Sequence, residues 1–185
     1  MTAPATEGPY YYQGAPRVNG SVCPLTSPFG TDKILIIRGQ VLDAADCRTP
    51  LPARLDIWQA NALGQYSERP NYNCRAIVET DDQGRFTFRT VYPGHYRMNA
   101  RTNAYRPAHI HFKATPRNTV YGTLTTQLYF TNDPYLWPRD ACGAEECSSN
   151  DRSLIITTNQ QRNLNTFDGQ WNIYMRRGGN GPIRG

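Results

Sequence analysis

Histidine is scarce in this chain: three residues in 185, His95, His109 and His111. Long hydrophobic runs are missing too. No apolar stretch reaches the ~18 residues that a spanning helix needs, so no membrane partner is expected. Lysine and arginine total 20 against 15 acids, giving a net charge of +5, yet the cations are scattered and form no block. Nucleic-acid binding wants a basic stripe with interleaved aromatics, so no nucleic acid is expected either. A Cys-x2-Cys pair is lacking, which argues against a four-cysteine zinc site. So is a Gly-rich dinucleotide loop, and nicotinamide and flavin cofactors are not expected. Met1-Thr2-Ala3-Pro4 does not read as a signal peptide.

What is abundant points to β structure. The chain carries 15 glycines, 14 prolines and 12 tyrosines, a mix that favours short strands and turns over long helices. Its length suits one domain with a real core. Residues 1–32 have no sustained period and read as an irregular N-terminal arm. Residues 33–185 read as a single-domain, all-β sandwich core with long loops. Ile34 to Leu42 is apolar and β-branched, the pattern of a buried strand. Ala53–Gln59 and Arg85–Val91 alternate apolar with polar, the mark of strands with one buried face. Ala76–Val78, Thr125–Phe130, Ser153–Thr157 and Gln170–Met175 are the remaining expected strands, with Asp81-Asp82-Gln83-Gly84 as a hairpin turn. Five cysteines are present: Cys23, Cys47, Cys74, Cys142 and Cys147. The spacing from Cys142 to Cys147 suits a short disulfide loop, and the odd count leaves one thiol over. Secreted or extracellular and cytoplasmic locations stay equally open.

Two of the three histidines sit one residue apart, in Arg106-Pro107-Ala108-His109-Ile110-His111-Phe112. On a strand they point to one face, about 7 Å apart at Cα, which makes half of a metal site. Such pairs also occur on solvated strand faces. Tyr66, after Trp58-Gln59-Ala60-Asn61 and a Gly-containing loop, and Tyr96, after Pro93-Gly94-His95, stand at positions where they can join the pair. Phenolate is a hard donor suited to Fe(III), and imidazole is compatible with the same ion. Any one tyrosine among 12 is otherwise a packing residue with its hydroxyl at the surface.

In order along the chain stand Asp56-Ile57-Trp58-Gln59-Ala60-Asn61, Gly64-Gln65-Tyr66, Phe88-Arg89-Thr90, Pro93-Gly94-His95-Tyr96, the Arg106–Phe112 run and Gln127-Leu128-Tyr129-Phe130. This series resembles the intradiol ring-cleavage dioxygenases, the protocatechuate 3,4-dioxygenase branch in particular, and Glu7-Gly8-Pro9-Tyr10 resembles that family's entry segment. The resemblance implies a mononuclear non-haem Fe(III) held by Tyr66, Tyr96, His109 and His111. Tyr96 and His111 correspond to the axial ligands, Tyr66 and His109 to the equatorial ones, with hydroxide or water in the fifth position. It also implies a catecholic substrate (protocatechuate, catechol or a derivative) opened with O2 to a cis,cis-muconate. Arg106 matches an arginine beside the substrate and Gln127 a pocket glutamine, while Tyr10 is expected at the mouth. Tyr96 is expected to leave the metal and take up a substrate proton. Arg106, always cationic, is expected to stabilise negative charge developing on the ring.

Departures from the family pattern bear on specificity. Met98 stands where many protocatechuate enzymes carry a tryptophan, and gives a softer wall. A single chain lacks the partner subunit that helps those enzymes hold a carboxylate. It is also too short for the helical dimerisation domain of the catechol 1,2-dioxygenase branch. The expectation is a compact enzyme, monomeric, with an open pocket and a broad catechol range. Two rivals remain. One is a catalytically dead β-sandwich kept for binding, which should have lost at least one of the four ligands. The other is a zinc hydrolase on His109 and His111, which lacks a carboxylate at ligand spacing. His95 is expected to be an exposed turn residue.

Overall fold

Along Arg85–Val91 the apolar alternation does what period-2 geometry requires: Phe86 and Phe88 are buried while Arg85, Thr87 and Arg89 are exposed. The computed structural model describes residues 1–25, 32–99, 101–162 and 165–178, so residues 26–31 of the arm and 179–185 of the core lie outside it. Twelve strands are found among the described residues. These are β1 (Ile34–Asp43), β2 (Ala53–Gln59), β3 (Arg75–Glu79), β4 (Arg85–Val91), β5 (Tyr96–Arg97) and β6 (Tyr105–Arg106), then β7 (His109–Pro116), β8 (Leu124–Phe130), β9 (Ile155–Ile156), β10 (Thr158–Gln160), β11 (Thr166–Gln170) and β12 (Ile173–Met175). The only α-helix among them is Ala144–Cys147, and no helix there is long and apolar enough to cross a membrane.

The strands form two five-stranded sheets and a two-stranded ribbon. In the first sheet β1 pairs antiparallel with β4 and in parallel with both β11 and β12; β10 lies outside β11. The second runs β3-β2-β7-β8-β9. Leu35, Ile37, Phe86 and Phe88 from one sheet pack with Leu55, Ile57, Ile110 and Phe112 from the other in a single core, the arrangement of a β-sandwich. The arm adds Ala5 and Val22 to that core.

The structure departs from the sequence pattern in three places. β1 is not buried along its whole length, since Arg38 is exposed. Gln170–Met175 is divided at Trp171, whose ring packs on Phe112 at 4.9 Å and whose Nε1 donates to Ser153 O at 2.9 Å. Only a residue without Cβ fits opposite: a Cβ on Gly39 would lie 1.8 Å from Trp171 O. Within Ser153–Thr157 only Ile155–Ile156 is strand, because Asp151 caps a short 3-10 turn over Arg152–Leu154. Two disulfides form, Cys23–Cys74 and Cys142–Cys147, and Cys47 is an exposed free thiol.

Candidate active site

Residues directly opposite one another in an antiparallel sheet share a face. Across the second sheet one such row reads Arg75, Trp58, His111, Gln127, and the neighbouring pair is His109 with Tyr129. Ile110 and Phe112 alternate with the histidines and point into the core, so the histidine face is the sheet's outer one. The arm roofs it: Tyr11 packs on Trp58 at 4.9 Å and Tyr10 lies flat on Tyr66 at 4.2 Å with planes 4° apart. His109 and His111 are each only 3% exposed as a result.

Two loops deliver the tyrosines, and glycine is what lets them meet. Gly64 sits at φ +77°, where a side chain is strained, and a Cβ there would lie 2.1 Å from His95 O. A Cβ on Gly94 would lie 2.4 Å from Gly64 N. Asn61 ties the two loops: its carbonyl accepts from Gly64 N (3.0 Å) and Gly94 N (2.9 Å), and its side chain accepts from Leu63 N and Gln65 N. Tyr66 and Tyr96 therefore end with ring centroids 5.6 Å apart, edge to face.

The four residues converge. Tyr66 Oη is 3.2 Å from His109 Nε2, and the two imidazole centroids are 4.8 Å apart. His109 Nδ1 lies 2.6 Å from Pro107 O, so Nδ1 carries the proton and the Nε2 lone pair faces Tyr66. Trp58 stacks on His111 at 4.8 Å with planes 8° apart, and His111 Nδ1 is buried with no hydrogen-bond partner. Tyr10 Oη and Tyr96 Oη share a short hydrogen bond. Burial, with Arg106 nearby, pulls His109 well below the usual imidazole range; burial, then the adjoining His109 ring and the Arg106 and Arg75 guanidinium charges, does the same to His111. Both rings are neutral, the form that ligates a metal. Burial pushes the Tyr66 phenol up, and it pushes Tyr10, with help from Tyr96, to about 12. A phenol so placed ionises only against a strong nearby cation. Among the described residues no three His, Cys, Asp or Glu side chains gather for a metal; the donors here are two imidazoles and two phenols, a set that fits a hard trivalent ion.

Arg106 is buried beside them. Its Nε and Nη2 donate to the two Asp140 carboxylate oxygens at 3.0 and 3.2 Å, Nη2 also to Gln127 Oε1 (3.0 Å) and Tyr129 Oη (2.9 Å), and Nη1 to His109 Nε2 (3.3 Å). Gln127 is fully buried; its Nε2 donates to Thr6 O at 2.8 Å. Met98 is 47% exposed on the β5–β6 hairpin, its N–H bonded to Ala104 O. His95 is not part of the cluster: its Nε2 is 3.0 Å from Asp133 Oδ2, and it lines a separate groove of about 540 Å³ with Lys33, Tyr92, Asp133 and Phe167. Asp140, Tyr129, Trp58 and Arg75 carried no role in the sequence reading. Asp140 lies in a patternless loop, and the cross-strand register that gathers the others is not visible in one dimension.

A dioxygenase family model, Dioxygenase_C, matches residues 6–177. The chain belongs to the intradiol ring-cleavage dioxygenase family. Among its relatives, catechol 1,2-dioxygenase 2 of Acinetobacter lwoffii is 34% identical over 148 residues, covering 71% of this chain and 52% of that protein. The chain thus spans about half the length of such curated relatives. Among solved structures, 3-chlorocatechol 1,2-dioxygenase of Rhodococcus opacus 1CP superposes with TM-score 0.77 at 29% identity, over 94% of this chain and 72% of that one. The dioxygenase domain of a dioxygenase–carbohydrate-binding protein fusion from Streptomyces sp. SirexAA-E gives TM-score 0.73 at 27% identity, over 96% and 99% of the two chains. For an intradiol family member, the gathering of two half-buried phenols around two buried imidazoles is the feature to explain.

Proposed function

We propose that this chain is a non-haem Fe(III) intradiol dioxygenase that opens catecholic rings with O2 to cis,cis-muconates. The single observation that carries the reading is the Tyr66–His109 contact at 3.2 Å, inside a cluster of two buried imidazoles, His109 and His111, and two half-buried phenols, Tyr66 and Tyr96. Tyr66, Tyr96, His109 and His111 are the proposed iron ligands. Bound there, the ion supplies the charge that makes a catechol acidic and its ring electron-rich.

The other roles belong to the chain's own side chains. Arg106 presents Nη1 beside His109 and stabilises an anionic substrate next to the ligand set. Gln127 acts through Arg106, holding Nη2 with its Oε1. Tyr96 Oη, hydrogen-bonded to Tyr10 Oη, is the place to hold a proton given up by the catechol. The rings of Tyr10 and Trp58 keep water from the Tyr66 and His111 faces they cover. Exposed Met98 leaves room for varied ring substituents, so catechol, 4-methylcatechol and protocatechuate are all proposed substrates, turned over by a monomer. The two disulfides favour an oxidising compartment.

Iron-loaded protein should be red to burgundy from tyrosinate-to-iron charge transfer. It should also consume O2 with a catechol panel and give products heavier than the substrate by two oxygen atoms. Colourless iron-loaded protein that leaves O2 untouched rules the reading out. A strict requirement for the protocatechuate carboxylate rules out the open pocket alone.

A further inference from the structure

Arg75 is 2% exposed, and among the described residues no carboxylate pairs with it. Buried charges are ordinarily paired, because removing one from water without a counter-charge is costly. Its donors go elsewhere. Nε and Nη2 reach Tyr10 O at 3.3 and 3.2 Å, and Nη1 reaches Asn73 O at 3.2 Å and Ser67 Oγ in a short bond. The guanidinium lies over the Tyr12 ring at 4.4 Å.

Two of these partners adjoin Tyr66. Ser67 is the residue after Tyr66, and Tyr10 is the residue whose ring lies flat on Tyr66 at 4.2 Å. Arg75 also opposes Trp58 in the sheet, and Trp58 stacks on His111. Only a planar fork can bond a carbonyl twice, reach a hydroxyl and stack on a ring at once; an ammonium cannot.

We propose that Arg75 is the positioning residue for Tyr66: by binding Tyr10 O and Ser67 Oγ together it clamps the Tyr10–Tyr66 pair and aims the Tyr66 hydroxyl at His109. This inference rests on the proposed ligand role of Tyr66. The plain structural rival is that Arg75 merely anchors the arm.

The test compares the full chain with Arg75→Lys and Ser67→Ala, each checked for folding by far-UV circular dichroism. In iron-free protein, the near-UV dichroism of the stacked tyrosines should fall in Arg75→Lys and by less in Ser67→Ala. In iron-loaded protein, Arg75→Lys should shift and broaden the charge-transfer band. It should also lower kcat about tenfold with KM changed less than about twofold, the split expected for a misplaced reacting group. Unchanged near-UV dichroism in both variants overturns the proposal. So does an unchanged band with only KM raised, the result that simple arm anchoring predicts. If wild-type protein neither colours nor consumes O2, the functional reading fails, and the iron-free dichroism still decides whether Arg75 clamps the tyrosine pair. If Arg75→Lys does not fold, Ser67→Ala decides it, an unchanged signal being the overturning result.

Discussion

Two arginines lie buried on either side of the candidate ligand set, Arg106 at 5% exposure and Arg75 at 2%, and they are satisfied in opposite ways. Arg106 meets a carboxylate, Asp140, through two parallel bonds. Burial alone pulls its pKa down, but the pull is outweighed by Tyr129 and Asp140, and the net shift is upward. Arg75 meets carbonyls, a hydroxyl and a ring, and burial leaves its pKa lowered. The difference teaches where charge is needed. Beside the proposed substrate position a fixed cation is neutralised at its back by Asp140, so its front is aimed without leaving a bare charge in the protein. Beside Tyr66 no anion of the chain balances the guanidinium among the described residues, and its fork serves geometry.

Asp140→Ala strands Arg106 without its counter-charge and should cost about 3–5 kcal/mol of stability, read as a drop in the urea midpoint. Joint replacement, Arg106→Met with Asp140→Leu, should recover most of that loss while O2 uptake stays abolished. A double variant as unstable as Asp140→Ala contradicts the account of the pair. Arg75→Met strands no charge and leaves only neutral acceptors unmet, the Tyr10 and Asn73 carbonyls and Ser67 Oγ, so its cost should be smaller, about 1–3 kcal/mol. Equal costs for Arg75→Met and Asp140→Ala would erase the distinction between the two arginines.

The smallest effect concerns a carboxylate paired with neither. Asp133 is half-buried, which raises its pKa, but His95 and the N–H groups of Tyr135 and Ala108 outweigh this and hold it below the usual range. A depressed folded-state pKa gives stability that is present above the unfolded value, near about 3.9, and is lost as pH falls through the folded value. Asp133→Asn should therefore lower stability slightly at neutral pH and flatten the acid limb below pH about 4, where the two proteins converge. An unchanged acid limb would count against that pairing.

Much of the sandwich was legible because its strands repeat with period two. Ala53–Gln59 and Arg85–Val91 are found with the expected bounds, and the strand expected from Thr125 begins one residue earlier at Leu124. Short strands were not legible. Tyr96–Arg97 and Tyr105–Arg106 are two residues each, too brief for any alternation, and exist because they pair with each other. The break at Trp171 was hidden for another reason: an alternating pattern cannot show that Gly39 must let a carbonyl pass. At the site, the Arg106–Phe112 run stood out because rare histidines share one strand face. Asp140 did not, because a loop carboxylate 34 residues from Arg106 has no periodic signature.

By itself the sequence determined which residue types were available and which faces they would take, since side-chain alternation and the local demands of glycine and proline act within a few residues. It placed His109 and His111 on one side of one strand, and by family resemblance it named Tyr66 and Tyr96 beside them. Tertiary structure alone decided what surrounds them: that Tyr10 lies on Tyr66, that Trp58 lies on His111, and that among the described residues one buried arginine has a carboxylate while the other has none. Those are contacts between segments far apart in the chain. They are fixed by strand register and by the docking of an irregular arm, and neither leaves a period for a sequence to display.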